Sequence, residues 1–283
     1  MKLVTDVNNT LMEGSIEPWF LFFSALNSLE DLNLPQFYKK FYGILRCAED
    51  YLKNGLSSHL LEEYAGALYG VQKSEIEKFP RIIYEKGLPY SISKLPFGNF
   101  SGPKPIIPFI NIFFETCKDG ISFILSSSIS DFLKPWINYF APFGLKYPPI
   151  YSNAFTYNFF GEVSGIKIIV PPENKSQIFS HILDEFNIAP EEVVYFGDNE
   201  HDHNIFSLIK EGGGIAVLSP YTNKETKRFC ERIGGVEYSR GDFTLIPEKG
   251  VYTPLKPGIY IPDDNETAVC LLLSALYPKK SQN

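Results

Sequence analysis

The chain has 283 residues, with 26 Lys and Arg against 33 Asp and Glu and a formal charge of −7. Hydrophobic residues at 44% and charged residues at 21% describe a chain able to bury a core, which excludes a disordered one. The acidic balance argues against a general nucleic-acid binder, which carries a basic surface, while an anionic substrate stays open wherever a bound cation reverses the local field.

Taken from the N-terminus, residues 2–6 (Lys-Leu-Val-Thr-Asp) predict a short buried strand ending in an acid. Lys2 and Asp6 leave no room for the apolar region of a signal peptide. Helical periodicity then predicts helices over Ile16–Leu29, Leu34–Lys53, Ser57–Leu68 and Lys73–Lys86, separated by Leu-Pro, Asn-Gly and Tyr-Gly breaks. The Pro-, Gly- and Ser-rich stretch Gly87–Pro108 reads as a return linker.

After it the rhythm changes to strands alternating with helices. Ile110–Lys118, Asp131–Phe140, Lys175–Phe186 and Ile205–Lys210 predict helices; Ile121–Leu125, Val193–Phe196 and Gly214–Leu218 predict buried strands. Tyr151–Ile169 reads as two short strands turning at Gly161. Such alternation implies an α/β fold, a parallel sheet with helices on both faces. The domains expected are a split α/β core, 1–14 and 100–283, interrupted by a helical insertion over 15–99. The proline-containing segment after Gly241 ends in an amphipathic helix at Glu266–Tyr277, open to packing against the sheet edge or to a protein partner.

A membrane span needs about 18 consecutive apolar residues, and the richest runs, Pro18–Leu26 and Val269–Tyr277, are roughly half that length. Cys47, Cys117, Cys230 and Cys270 lie far apart with no CxxC pair. They read as reduced core residues of a cytoplasmic protein without membrane attachment.

Open α/β sheets place ligands at the carboxyl ends of their strands. Three such ends are polar: Asp6-Val7-Asn8-Asn9-Thr10, Ser126-Ser127-Ser128, and Gly197-Asp198-Asn199-Glu200-His201-Asp202. With Lys175 opening the preceding helix, these suggest phosphoryl transfer to a carboxylate. Asp6 would attack phosphorus, Asp6 and Asp198 would supply oxygen ligands to Mg2+, Lys175 would hold phosphate oxygens, and Ser126 would donate a hydrogen bond. Ser126 is preferred to Ser127 and Ser128 because it directly follows the predicted strand; Ser127 and Asn199 are assigned as substrate contacts. His201 and His203 sit near Asp198 and Asp202, but positions two apart do not share a helix face, so a zinc site is disfavoured.

The order and spacing of these segments resemble the haloacid dehalogenase (HAD) superfamily, in its phosphoserine-phosphatase-like branch. The Asp-x-Asp-x-Thr motif of that family is matched by Asp6, Asn8 and Thr10. Its serine, lysine and Gly-Asp motifs are matched by Ser126, by Lys175, and by Gly197, Asp198 and Asp202. The resemblance implies a Rossmann-like core, a helical cap over residues 15–99, a small phosphorylated substrate and a Mg2+ cofactor. It also implies that the Asn8 carbonyl is a metal ligand and that Asp202 orients metal-bound water or Lys175. Glu13, Lys39, Lys40 and Arg46 become candidate cap contacts to the leaving group.

One position departs from the pattern. The second aspartate of the family's first motif, its general acid and base, is Asn8 here, and a carboxamide exchanges no proton at a useful pKa. General acid–base catalysis typically contributes about 10²–10⁴-fold, so the sequence implies a phosphatase slowed by that factor and best suited to acyl or aryl phosphates. The alternative is a catalytically silent HAD-like binding or regulatory subunit. A dehalogenase fits less well, since Thr10 and the metal acids would then have no task.

Overall fold

Strand β1 (Lys2–Thr5) reads in sequence as buried on both faces, and it is: Leu3 and Val4 are sealed from solvent in two different apolar clusters. Successive strand side chains point to opposite faces. Val194 and Phe196 accordingly join Leu3, and Val193 and Tyr195 join Val4. Such strands survive only with helices on both sides of the sheet. The computed structural model describes residues 1–86, 103–119, 122–142, 148–242 and 255–277.

After β1 come β2 (Met12–Glu13) and four helices, α1 (Glu17–Glu30), α2 (Leu34–Asn54), α3 (Ser58–Ala67) and α4 (Lys73–Lys86). The chain returns through β3 (Lys104–Pro105), antiparallel to β2, into α5 (Ile107–Asp119). Then follow β4 (Phe123–Ile129), α6 (Ser130–Phe140), β5 (Ile150–Tyr157), β6 (Val163–Lys167), α7 (Lys175–Glu185) and β7 (Val193–Gly197). The last elements are α8 (His203–Glu211), β8 (Ile215–Leu218), α9 (Lys224–Arg232), β9 (Val236–Tyr238), β10 (Gly258–Pro262) and α10 (Asn265–Leu276). The main sheet runs β6-β5-β4-β1-β7-β8-β10-β9, parallel except for the β5–β6 hairpin. This is an α/β, Rossmann-like core with a helical bundle inserted after its first strand.

Side chains at helix starts set the limits of several elements. Asn33 accepts from Gln36 N at 3.3 Å, Ser57 from Leu60 N at 3.1 Å and Asp264 from Thr267 N at 2.7 Å. The inserted helices do not form a separate core. Phe20 of α1 lies 5.1 Å from Phe79 of α4 and 5.2 Å from Phe132 of α6, ring centre to ring centre. One apolar cluster continues from these rings to the sheet.

Three expectations need correction. The second predicted strand, Ile121–Leu125, is Phe123–Ile129, so all three serines lie within β4. Pairing with β5 resumes beyond a register shift at Ile129–Asn153, and the Asn153 amide donates to Ser127 O at 2.7 Å, which holds the polar run extended. Helix α5 starts at Ile107 rather than Ile110, because Pro108 fits the first turn, where no N–H is needed; residues 87–102 of the expected linker lie outside the described residues. The C-terminal segment is part of the core: β10 lies between β8 and β9, and α10 buries Ala268, Leu271, Leu272 and Ala275. The helix packs on the chain's own sheet, one of the two placements expected for it, and is more deeply buried than an amphipathic surface helix. Among the described residues, no helix is long and apolar enough to cross a membrane.

Leu271 is fully buried, so Leu271→Ala is expected to destabilise the whole domain by about 2–5 kcal/mol. Urea unfolding would show one shifted transition; a fraying C-terminus would leave the midpoint unchanged.

Candidate active site

The first carboxylate is fixed by the sheet. Asp6 immediately follows β1, and its backbone N–H donates to Phe196 O of β7 at 3.0 Å, which aligns the ends of the two strands. Its Oδ1 accepts from Val7 N at 2.7 Å, and its Oδ2 receives the Lys175 ammonium at 2.5 Å. Lys175 opens α7 with its side chain 1% exposed, and its Nζ also donates to Asp202 Oδ1 at 2.7 Å.

Asp202 lies in the 3-10 turn Glu200–Asp202 after β7. Both its oxygens are engaged: Oδ1 also accepts from the Tyr195 hydroxyl at 2.6 Å, and Oδ2 from Asp198 N at 2.9 Å and Asn199 N at 3.3 Å. Gly197 permits this turn because a Cβ there would stand 2.5 Å from Asp202 Oδ2 and 2.7 Å from the Tyr195 ring. Asp198 accepts from the Asn199 amide at 3.1 Å, the Asn9 amide at 3.2 Å and the Thr10 hydroxyl at 3.4 Å. Thr10 is buried, and its hydroxyl is also 3.2 Å from Asn8 O, so it ties the β1 loop to Asp198 rather than facing the cleft.

Carboxylate oxygens of Asp6, Asp198 and Asp202 lie within 4.8 Å of one another, all buried. Burial drives the Lys175 ammonium toward its neutral form, but Asp202 and Asp6 outweigh burial and hold its pKa above the ordinary lysine value. Burial pushes Asp202 up, yet Lys175 beside it brings the net shift below the usual carboxylate range. Asp198 has no such counterion. Burial first, then the charges of Asp6 and Asp202, raise it well above the ordinary value. An all-oxygen donor set with surplus negative charge suits a hard divalent cation, and Asp198 is the carboxylate that such an ion would relieve.

Asp6, Asn8, Lys175, Asn199 and the β4 serines line a single cleft. Ser126 Oγ accepts from Ser128 N at 3.3 Å, while Ser127 Oγ is buried without a hydrogen-bond partner. Ser128, weighed only as a substitute for Ser126, has a different use: its hydroxyl receives the Asn8 amide at 2.7 Å. Asn8 Oδ1 is buried with no partner.

Two further residues line the cleft that the sequence did not single out for it. Leu56 comes from the turn between α2 and α3, and His201 presents a buried Nε2 without a hydrogen-bond partner. His203 diverges from it, stacking on Phe229 at 3.9 Å with Nε2 3.0 Å from Thr226 Oγ1. Asn9 is another addition. It adopts φ +53°, a left-handed conformation that Asn tolerates, and so reaches Asp198.

The proposed cap contacts lie elsewhere. Lys40 donates to Ser24 O and Ser28 Oγ, Lys39 donates to Tyr69 O, and Arg46 pairs with Glu63. Glu13 pairs within β2–β3. The acid reaching the end of β4 is Glu17, which accepts from Ile129 N at 3.1 Å.

This chain has the fold of the HAD superfamily in its phosphoserine-phosphatase-like form. A protein of unknown function from Bordetella pertussis Tohama I superposes with TM-score 0.57 and 12% identity, over 82% of this chain and 95% of that one. A substrate-bound phosphoserine phosphatase complex gives 0.52 and 15%, over 81% and 90%. A phospho-aspartyl intermediate analogue of phosphoserine phosphatase gives 0.51 and 13%, over 80% and 89%. At these identities the likeness is one of fold. No family model matches the sequence, and no curated protein matches it.

Replacing Lys175 by Met strands two buried carboxylates, which is expected to cost about 3–5 kcal/mol at neutral pH. Asp202 titrates below its unfolded value near 3.9, so its contribution is present above about pH 4 and lost as pH falls through its lower folded pKa. Urea unfolding at pH 7 and pH 3 should therefore show the gap between wild type and Lys175→Met narrowing in acid.

Proposed function

We propose that this protein is a Mg2+-dependent phosphatase for small phosphate monoesters or acyl phosphates, using Asp6 as nucleophile and slowed by Asn8. The observation that carries this reading is the convergence of Asp6, Lys175 and the β4 serines on one strand-end cleft, with a carboxylate oxygen of Asp198 buried within 4.8 Å of Asp6. Asp6, Asp198 and the Asn8 carbonyl would hold Mg2+, which supplies charge neutralisation to the phosphoryl group when bound.

Asp6 attacks phosphorus, the bond to the leaving oxygen breaks, and an aspartyl-phosphate forms; water then attacks phosphorus and frees Asp6 with release of phosphate. Lys175, kept protonated by its two acids, supplies positive charge beside the nucleophile. Ser127 Oγ has an uncommitted proton for a phosphate oxygen, and Ser126 flanks it. Asp202, with both oxygens occupied, positions Lys175 and the backbone at Asp198. Asn199, which donates to Asp198, also reaches the cleft to meet substrate.

Asn8 cannot protonate the leaving group or take a proton from water. Its amide instead donates to Ser128 Oγ, and the proton-transfer contribution of about 10²–10⁴-fold, or roughly 3–5 kcal/mol, is forgone. Leaving groups that depart without a proton, aryl and acyl phosphates, lose least. Leu56 lines the same cleft as Asp6 and Lys175, so the turn between α2 and α3 borders the place where substrate would sit. A silent phosphate-binding subunit is the second reading, and Asn8 is the observation that favours it.

Hydrolysis of p-nitrophenyl phosphate and acetyl phosphate, with and without Mg2+, separates the two. The enzyme reading expects slow Mg2+-dependent turnover that Asp6→Asn abolishes and Asn8→Asp raises by about 10²–10⁴-fold. No turnover in either wild type or Asn8→Asp would leave the binding subunit.

A further inference from the structure

Helix α2 carries apolar residues on two faces. Toward the core it turns Ile44 and Cys47, which pack on the apolar cluster, and Gly43, where a Cβ would stand 2.3 Å from the Ala67 Cβ of α3. One turn before it, the buried Lys40 ammonium donates to Ser24 O at 3.1 Å and Ser28 Oγ at 2.8 Å. Its outward face is apolar. Leu34, Tyr38, Phe41, Leu45, Ala48 and Leu52 are all exposed among the described residues, with Tyr38 at 64% and Leu52 at 85%.

Contiguous apolar patches beyond a few hundred Å2 mark interaction surfaces. With Tyr42 and Tyr51 alongside, this stripe leaves on the order of 1,000 Å2 accessible, against roughly 800 Å2 per partner in a standard stable interface. The area is sufficient for a dimer.

The spacing identifies the partner. The six residues follow steps of four, three, four, three and four, the 3.5-residue repeat of a coiled-coil seam. When two identical copies of α2 cross antiparallel with their midpoints at Gly43, Leu34 faces Leu52, Tyr38 faces Ala48, and Phe41 faces Leu45. Tyrosine meets alanine, and the other layers match large with large. A parallel pair would oppose the two Tyr38 rings and leave a gap between the two Ala48 methyls. The stripe is thus complementary to itself under a two-fold axis, the requirement of an isologous interface.

We propose that two copies of this chain dimerise through α2, antiparallel, with the two-fold axis at Gly43. The proposal does not depend on the phosphatase reading.

Light scattering on the purified chain should give about twice the 32.1 kDa of one copy. Phe41→Lys and Leu45→Glu should each give a single-copy mass with an unchanged far-UV circular dichroism spectrum, because both side chains lie outside the core. Mixing the two variants should restore the dimer, since the ammonium introduced at 41 then faces the carboxylate introduced at 45 while the other copy of that layer stays native. A monomeric wild type would overturn the proposal. So would dimers that survive both substitutions. Failure of the mixture to reassociate would overturn the antiparallel register.

Discussion

Everything at the candidate site depends on one buried ammonium. Lys175 joins the end of β1, through Asp6, to the turn after β7, through Asp202. Those segments lie far apart in sequence and meet only because β1 pairs with β7. Burying an ammonium costs several kcal/mol, recovered only where its partners are close and otherwise satisfied. Here they are: Tyr195 and two backbone N–H groups take the remaining acceptors of Asp202. At the site, among the described residues, three buried acids still face one buried base. Asp198 carries the deficit: burial and the charges of Asp6 and Asp202 raise its pKa more than Lys175 lowers it.

Asn8 shows how a position can keep a structural task while giving up a chemical one. Its amide joins the β1 loop to β4 through Ser128, a bond that a carboxylate could make only by accepting the serine proton. The surrounding loop is held independently, by Thr10 on the Asn8 carbonyl and on Asp198 and by Asn9 on Asp198. The loop geometry therefore does not rest on Asn8. For the proposed phosphatase, this makes the loss of proton transfer separable from any loss of architecture.

Legibility in the sequence followed the physics of each signal. The buried strands were readable because residues sealed on both faces must be continuously apolar, and Val193–Phe196 could hardly be anything else. Asp6 and Asp198 were legible because each stands at the end of an apolar strand, while Lys175 and Asp202 stood out through the motif order that resembles the family rather than through any local pattern. The β4 serines were misjudged as the end of a strand, since their extended shape comes from Asn153, a long-range contact. Asn9 was passed over because its left-handed φ leaves no mark in composition. Leu56 and His201 reach the cleft through tertiary placement alone. The candidate cap contacts stayed open for the same reason: helical periodicity says that Lys40 and Arg46 occupy particular faces, not where those faces point, and neither lines this cleft.

Helix α2 is the strongest instance of that limit. Periodicity reports that a helix has an apolar stripe, and the ordinary expectation turns the stripe inward. In α2 Ile44 and Cys47 do turn to the core, beside Gly43, whose missing Cβ lets α3 approach closely. The stripe from Leu34 to Leu52 is left outside, where only another surface can bury it. That face ends at Leu52, one turn before Leu56, which lines the cleft. A partner clamped along α2 would therefore hold the segment leading into a turn that lines the cleft. In such a dimer the seam and the cleft share one short piece of chain, and constraint on the first limits motion at the second.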